Sequence, residues 1–546
     1  MIRFRLLAAV AALAIGTAHA ATDDDFTKQA IDATRPLQMD LGPDGTPTPS
    51  DLTFDTGFTG TGMRAIWPSA GSGWSETDDG LRVFPWIAPV TVPGPPPTTY
   101  NKHMGYYVIG KQKDTAGSSW RVWIMRVTLI GSQDSGFGTD GWIYGSAQDD
   151  IVDAVVVGDK AYVLSNIWGD TSTPITRVSC IDLTTPTGDS CFAGFGGALS
   201  FGAAAGGPRT AAYGQRMTYD SRYGLFVAAR VMNNVRGQEV GIARISADTG
   251  ALVTEFKDDG YNISLPSEAP ATGVTVTVNA LSVTPEGYTG IPRVYVAAEI
   301  NRAALGDTDS FIIGLAPTNG IFTTGWNWGV YYYESDNTTF KRDVITALTP
   351  LRNGKVAFAG WSETDDVNAR PMIMGRIGGD GSYDSGFCEG NAHAGALACL
   401  VDPPYSTGSP LNITYTPFSQ PVALAERRQN RDLVVVQRFQ DNGFNLLFPD
   451  DHRVRTLVQQ FSASGNRKHA VLTIDYRGST GVLWSRPFGM WMGGTGQHIA
   501  SGGLGEEVIA IVGTRQWYGD DFDATLTHLK ATDSIFADAF GGANGD

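Results

Sequence analysis

Residues that could do chemistry are scattered along this 546-residue chain rather than gathered into motifs. His103, His393, His452, His469, His498 and His528 show no metal-ligand spacing, since zinc sites bring close Cys or His pairs together. The chain has no Gly-x-Ser-x-Gly elbow, no His-Glu-x-x-His, no phosphate-binding loop and no complete dinucleotide fingerprint. No catalytic, cofactor-binding or metal residue can therefore be named. Carboxylates are numerous, but no pair can be singled out for glycoside hydrolysis. The acidic turns GGDGSYD (Gly378 to Asp384) and YGDDFD (Tyr518 to Asp523) offer the hard oxygen ligands calcium prefers. Neither matches the twelve-residue calcium loop, so no cofactor is expected and calcium is kept as a minor alternative.

Clustered aromatic residues are the other chemical feature. Trp326, Trp328, Tyr331, Tyr332 and Tyr333 lie together, as do Trp484 and Trp491 with Met490 and Met492. Tyr and Trp stack on sugars and peptides and recur at binding hot spots. Along a strand, neighbouring side chains point to opposite faces, so at least one of Tyr331 to Tyr333 should reach solvent. Trp326, Tyr331, Tyr332, Tyr333 and Trp491 are accordingly the candidate ligand-binding aromatics. Trp328 reads as packing.

Four cysteines, Cys180, Cys191, Cys388 and Cys399, form two couples with the same separation of eleven. In an exported chain this suggests two local disulfides, one within each couple, out of three connectivities. Export is expected from the amino terminus. Arg3 and Arg5 precede an apolar run from Leu6 to Gly16 and the small-residue site Ala18-His19-Ala20, the pattern of a signal peptide cut after Ala20. The run is too short to span a bilayer. A periplasmic or secreted protein is expected, with no membrane span, and residues 21–50 read as a poorly ordered segment.

The formal charge of −16 disfavours nucleic acid, whose phosphates demand Lys and Arg, and serves solubility. With 42% hydrophobic residues and 18% charged, the chain can build a packed core. Its 67 glycines, spread without a triplet period, speak for many tight turns. A protein or glycan partner and a monomeric state are the expectations.

What must position any site is a repeat. A β-rich run ends in an apolar strand carrying Arg, then a Gly/Asp turn, then a segment closing on Phe-Gly. The clearest copy is WIMRVTLIGSQDSGFGTDGW, Trp123 to Trp142. Closing aromatics fall at Phe137, Phe195, Phe256, Trp328, Phe387, Phe488 and Phe540, in steps of 58, 61, 72, 59, 101 and 52 residues. LTFDTGFTGTG, from Leu52 to Gly62, reads as the tail of a further copy. Short β-branched runs such as GLFVAARV and KVAFAGWS precede each motif, and long 3.6-residue periods are missing. The expected fold is all-β: a single β-propeller of about seven antiparallel blades over residues 51–546. The approximate blades are 80–142, 148–201, 209–261, 276–329, 340–390, 418–489 and 494–542.

The repeat resembles the delta-60 repeat family of bacterial exported proteins. The resemblance rests on Arg126, Asp134, Phe137, Gly138 and Gly141 in one copy, on Arg244, Asp248, Gly250 and Phe256 in another, and on Arg376, Asp380, Gly381, Asp384 and Phe387 in a third. It covers about Leu52 to Gly542 and implies export and a propeller, with no catalytic residues to transfer. Gly314, Thr473 and His528 depart from it in place of the Arg.

Residues repeated in nearly every blade are read as architecture: Arg126, Arg177, Arg244 and Arg376 between blades, each pairing with a turn Asp, and Phe137, Phe195, Phe256, Phe387, Phe488 and Phe540 plugging the layer between sheets. The leading functional expectation is a non-enzymatic binding or scaffold protein for an extracellular or envelope protein or glycan. The alternatives are a carboxylate-dependent polysaccharide hydrolase or lyase at a channel mouth, by analogy of fold alone, and a structural part of an envelope assembly.

Overall fold

The computed structural model describes residues 52–66, 68, 74–168, 174–188, 190–192, 197–202, 209–264, 274–302, 307–322, 330–333, 342–363, 370, 372–384, 386–387, 399–401, 418–427, 430–441, 453–468, 472–474, 484–494, 507–516 and 522–531. The expected signal peptide and the segment 21–50 lie outside them. Every element among the described residues is a strand, and none is a helix.

Two short strands come first, β1 (Leu52–Phe54) and β2 (Met63–Ile66). Four-strand meanders follow. The first is β3 (Trp74–Val92), β4 (Thr98–Asp114), β5 (Trp120–Thr128) and β6 (Trp142–Gln148). The second is β7 (Asp150–Val157), β8 (Lys160–Ile167), β9 (Ile175–Asp182) and β10 (Ala198–Leu199). Next are β11 (Arg209–Asp220), β12 (Gly224–Asn233), β13 (Gly237–Ile245) and β14 (Tyr261–Ser264). They are followed by β15 (Val274–Val283), β16 (Val294–Arg302), β17 (Asp307–Leu315) and β18 (Val330–Tyr333). Then come β19 (Asp343–Pro350), β20 (Val356–Ser362), β21 (Met372–Ile377) and β22 (Cys399–Val401). After them lie β23 (Phe418–Glu426), β24 (Leu433–Asp441), β25 (Arg453–Phe461) and β26 (Leu472–Ile474). The last strands are β27 (Trp484–Gly494), β28 (Glu507–Gln516) and β29 (Phe522–Ala531).

The architecture is a β-propeller: antiparallel meanders follow one another, and the first strand of each lines a common central cavity. Among the described residues the hydrogen-bonded sheets number six, not about seven, because β11–β14 and β15–β18 share one eight-stranded sheet. Their link is a single parallel pair, Gly237 with Val274, and Gly237 is the residue that permits it. Its φ is +100°, and a Cβ there would stand 2.5 Å from the Val274 carbonyl oxygen.

The two ends of the described chain meet. β1 and β2 both pair antiparallel with β29, so the last sheet takes its outer edge from the start of the chain. The segment from Leu52 to Gly62 is therefore not the tail of an eighth copy. It completes the last sheet, and Phe58 within it is fully buried beside Val83, Tyr106 and Trp123 of the first sheet.

Strand patterns follow from this stacking. A sheet with one wet face alternates apolar and polar residues, whereas one wedged between two neighbours is apolar on both faces. The middle strands accordingly read as nearly continuous buried runs: Ala161 to Asn166 on β8, Leu225 to Ala229 on β12 and all of β20. Burying side chains of this kind stabilises by roughly 1.5–3 kcal/mol each.

Candidate functional site

Among the described residues, each strand that opens a meander, β3, β7, β11, β15, β19, β23 and β27, carries a register shift at the same level. The shifts fall between Gly80 and Arg82, Ile151 and Asp153, Gly214 and Arg216, Val278 and Ala280, Ile345 and Ala347, Pro421 and Ala423, and Pro487 and Gly489. A β-bulge leaves one residue unpaired and re-aims its neighbours. These residues line a cavity of about 650 Å³ on the propeller axis, within the ordinary range for ligand pockets.

The residues that follow the bulges differ in kind. On β3, β7 and β11 they are Arg82, Asp153 and Arg216, a contiguous arc of charge. On β15, β19, β23 and β27 they are Ala280, Ala347, Ala423 and Gly489, which leave room. Arg438 on β24 also lines the cavity. Three cations therefore share the described lining with one carboxylate.

Asp153 is buried and fully engaged. One oxygen lies 2.8 Å from Arg82 Nε and accepts the Ala154 backbone N–H at 2.8 Å; the other accepts the Met217 N–H at 3.0 Å. Arg82 also donates through Nη1 to the Phe488 carbonyl at 3.0 Å. Arg216 donates from Nε to Asn279 O and from Nη1 to Gln215 O, both at 2.7 Å, so it spans to the neighbouring inner strand. Burial lowers the pKa of Arg216, with Asp153 opposing the shift and Arg82 adding to it. Its charge is thus incompletely compensated by its surroundings.

The repeat residues lie elsewhere, the arginines on the third strands and the closing aromatics in the turns that follow. Arg126 grips Asp134 at 2.7 Å, and Arg376 lies 2.6 Å from Asp384, each stacked over the closing aromatic, Phe137 or Phe387. Arg376 also donates to the Ala463 carbonyl in the next sheet's turn. Arg244 differs: its partners are the carbonyls of Tyr223 and Thr318, the latter again in the next turn. Arg177 lies on β9 opposite Ala198, with Nε buried and no hydrogen-bond partner among the described residues. Phe137, Phe256 and Phe387 are buried. Phe195 and Phe540 lie outside the described residues.

Phe488 does not close a unit. It stands at the bulge of the innermost strand β27 and lines the cavity, which corrects the expected boundary at 489. Pro-Phe-Gly imitates the closing motif, but the strand it introduces is the first of the last sheet. That sheet starts at Trp484, and the preceding one ends its described strands at Ile474.

Where the repeat loses its Arg on β29, His528 takes the position. Asp55 donates its backbone N–H to the His528 carbonyl, just as Asp134 does to Arg126. His528 Nδ1 lies 2.9 Å from Asp55 Oδ2, at ion-pair distance but poorly aligned for a hydrogen bond. Its Nε2 meets the Tyr106 hydroxyl, and His103 packs edge-on to the Tyr106 ring. Burial lowers the pKa of His103 to about 4 and lowers that of His528 against the pull of Asp55. Burial also raises Tyr106 well above its ordinary value. This enclosed chain of polar groups sits where first and last sheets meet.

Four of the aromatic candidates lie on described strands. Tyr331, Tyr332 and Tyr333 lie on β18, paired with Ile312, Phe311 and Ser310, and Trp491 on β27 pairs with Ala510. Their side chains and all of Trp326 lie outside the described residues. Cys180 and Cys191 form a disulfide with Cα atoms 5.2 Å apart; Cys388 lies outside the described residues. In the turn from Gly378 to Asp384, Asp380 accepts from Ser382 N at 3.0 Å and Ser382 Oγ at 2.6 Å. Asp384 faces Arg376 and Lys355, each at 2.6 Å, and although burial pushes its carboxyl up, these partners hold it below its ordinary value. Two cations on one carboxylate disfavour a calcium ion there. Most of YGDDFD also lies outside the described residues.

The cavity arc was missed by sequence reasoning. The available signal was the alignment of inner strands, in which Leu-Arg-Val, Val-Asp-Ala, Gln-Arg-Met, Asn-Ala-Leu, Thr-Ala-Leu, Val-Ala-Leu and Phe-Gly-Met share one position.

No protein-family model matches the chain, and no curated protein matches it in sequence. Among solved structures it is similar to an α-L-arabinanase of Penicillium chrysogenum complexed with arabinobiose, at 10% identity, 68% of this chain, 90% of that one and a TM-score of 0.33. It is also similar to the Saccharomyces cerevisiae core factor, at 9% identity, 80% of this chain, 57% of that one and a TM-score of 0.34. A third is an α-L-arabinofuranosidase from Clostridium thermocellum, at 15% identity, 60% of this chain, 94% of that one and a TM-score of 0.26. Likeness at this level carries no argument about chemistry.

Proposed function

We propose that the protein is an exported binding propeller of the delta-60 repeat type, a ring of seven four-stranded units that takes a protein or glycan ligand in its central cavity. This reads the eight-stranded sheet as two units, supported by its two inner strands, β11 and β15, which each bring one bulge to the axis. The observation that carries the binding reading is the unequal set of residues after the bulges. Arg82, Asp153 and Arg216 put charge at three adjoining bulge positions of the wall, while Ala280, Ala347, Ala423 and Gly489 keep the other four small. Holding charge in such a wall costs stability unless it is paired, and the ring is already tied by the outer turns. Within the arc Arg82 and Asp153 satisfy one another, and Arg216, bonded to carbonyls alone, is the charge left for a ligand. Export follows from the residues ahead of Ala21, and the single described channel carboxylate, consumed by its own partners, favours retention over turnover.

The test is a glycan and peptide array probed with the full-length secreted protein and with Ala423→Phe, which fills the cavity from a half-buried position. A ligand held by the first and lost by the second is expected. Turnover of an array component, or retention unaffected by Ala423→Phe, would reverse the reading. Sequencing of the secreted protein should begin at Ala21.

A further inference from the structure

We infer that the central cavity selects an anion, a carboxylate-bearing ligand of about one or two sugar units, with Arg216 and Arg438 as its principal partners. The inference rests on the binding reading above and specifies the chemistry of the same cavity.

Charge comes first. The chain carries a formal −16, yet the described lining holds Arg82, Arg216 and Arg438 against Asp153 alone. Among the described residues, the lining of the axis therefore carries more cationic than anionic side chains. A cleft in which one sign of charge predominates concentrates counter-ions.

The partnering is uneven. Arg82 and Asp153 satisfy one another at 2.8 Å, and Asp153 spends its remaining capacity on backbone N–H groups. Arg216 has no carboxylate at ion-pair distance among the described residues and makes its bonds to carbonyl oxygens through Nε and Nη1. A guanidinium carries five N–H donors in a planar fork. The Nη2 group of Arg216 makes no hydrogen bond to a described residue, and carboxylates match such a fork geometrically. Arg438 adds a second cation to the wall, and the small residues at 280, 347, 423 and 489 leave the volume between them. The cavity of about 650 Å³ admits a uronic acid or its dimer.

Titration calorimetry of the full secreted protein with D-glucuronate, and with D-glucose as the neutral control, tests this. Glucuronate should bind, with a Kd that rises with ionic strength; glucose should not. Arg216→Gln and Arg438→Gln should each weaken glucuronate about ten- to hundred-fold, the worth of a charge-assisted hydrogen bond, while Arg216→Lys should recover part of the loss. Circular dichroism melts separate lost binding from lost folding. Asp153→Asn, which keeps the size and removes the negative charge, should tighten binding. Equal binding of glucose and glucuronate, or an unchanged Kd in folded Arg216→Gln, overturns anion selection and leaves the cavity reading intact. Glucuronate binding that survives Ala423→Phe places the ligand elsewhere and overturns both.

Discussion

His103 should make the stability of the ring depend on pH between 6.5 and 4. It lies on β4 opposite Ile87, only 7% exposed, and packs against Tyr106 at 5.0 Å between centroids. Burial is the main cause of its lowered pKa, with a hydrogen bond to the Gly105 backbone opposing it and His528 contributing. The unfolded chain protonates this residue near 6.5 and the folded one only near 4. Between those values the unfolded state binds the extra proton, so acid favours unfolding. The contribution is complete above pH 6.5, is lost progressively as pH falls, and is gone below 4. At about 1.4 kcal/mol per pKa unit the full loss is about 3 kcal/mol, of which about 2 kcal/mol has gone by pH 5. In urea melts the stability of the wild type relative to His103→Phe, which keeps the aromatic contact and removes the titration, should therefore fall by about 2–3 kcal/mol as pH drops from 7.5 to 4.5. His528 and the carboxylates titrate in both proteins and cancel in the difference. Parallel curves for the two proteins would refute the burial argument.

Three further outcomes bear on the ties of the ring. Phe137→Ala should cost about 3–5 kcal/mol, because it opens a void between the first and second sheets; Phe58→Ala should cost as much and should also release the segment 52–66 to limited proteolysis. Arg126→Gln removes one partner of an ion pair whose side chains are about a fifth exposed, so the loss in a thermal melt should be about 1–2 kcal/mol, well short of that for a fully buried pair. Replacing Cys180 and Cys191 together by Ala opens a loop of eleven residues and should lower stability by about 2–3 kcal/mol on the chain-entropy account.

Much of the architecture was legible in the sequence because its signals are local. Alternating and continuous apolar runs mark strands within a few residues, and Asp-x-x-Phe turns recur because each performs the same short task. Asp55 and Asp134 both accept the N–H of a glycine two residues on, at 3.0 Å, and both receive the N–H of the Phe that follows at their own carbonyl. What stayed hidden is non-local. Nothing near Leu52 says that it pairs with Ala531, so the closing segment read as a separate copy. Nothing near Gly237 announces its bridge to Val274, which merges two sheets into one. Phe488 misled for the opposite reason: its local pattern is right, but the strand around it occupies the inner position of a sheet, where no closing turn exists.

The same distinction separates scaffold from site. In a ring of like sheets, any residue needed at every seam must recur, and Arg126 with Phe137 and Arg376 with Phe387 do so in the outer turns. A ligand on the axis meets all units at once and has no such symmetry, so residues that serve it must break the repeat. The bulge positions do this. They share one backbone geometry, and therefore one structural demand, yet hold Arg82, Asp153 and Arg216 on one side and Ala280, Ala347, Ala423 and Gly489 on the other. Small residues satisfy the bulge on four strands, while on the other three the charged side chains also bond to adjoining inner strands. On the proposed reading, the charge those bonds leave over on Arg216 serves a ligand in the cavity it lines. His528 breaks the repeat too, but its departure is absorbed locally: Asp55 and Tyr106 enclose it at the seam, away from the axis. A break that is absorbed by its neighbours is a variation of the scaffold; the break at Arg216, which lines the open cavity and pairs with no described carboxylate, is the one the proposed binding reading assigns to a ligand.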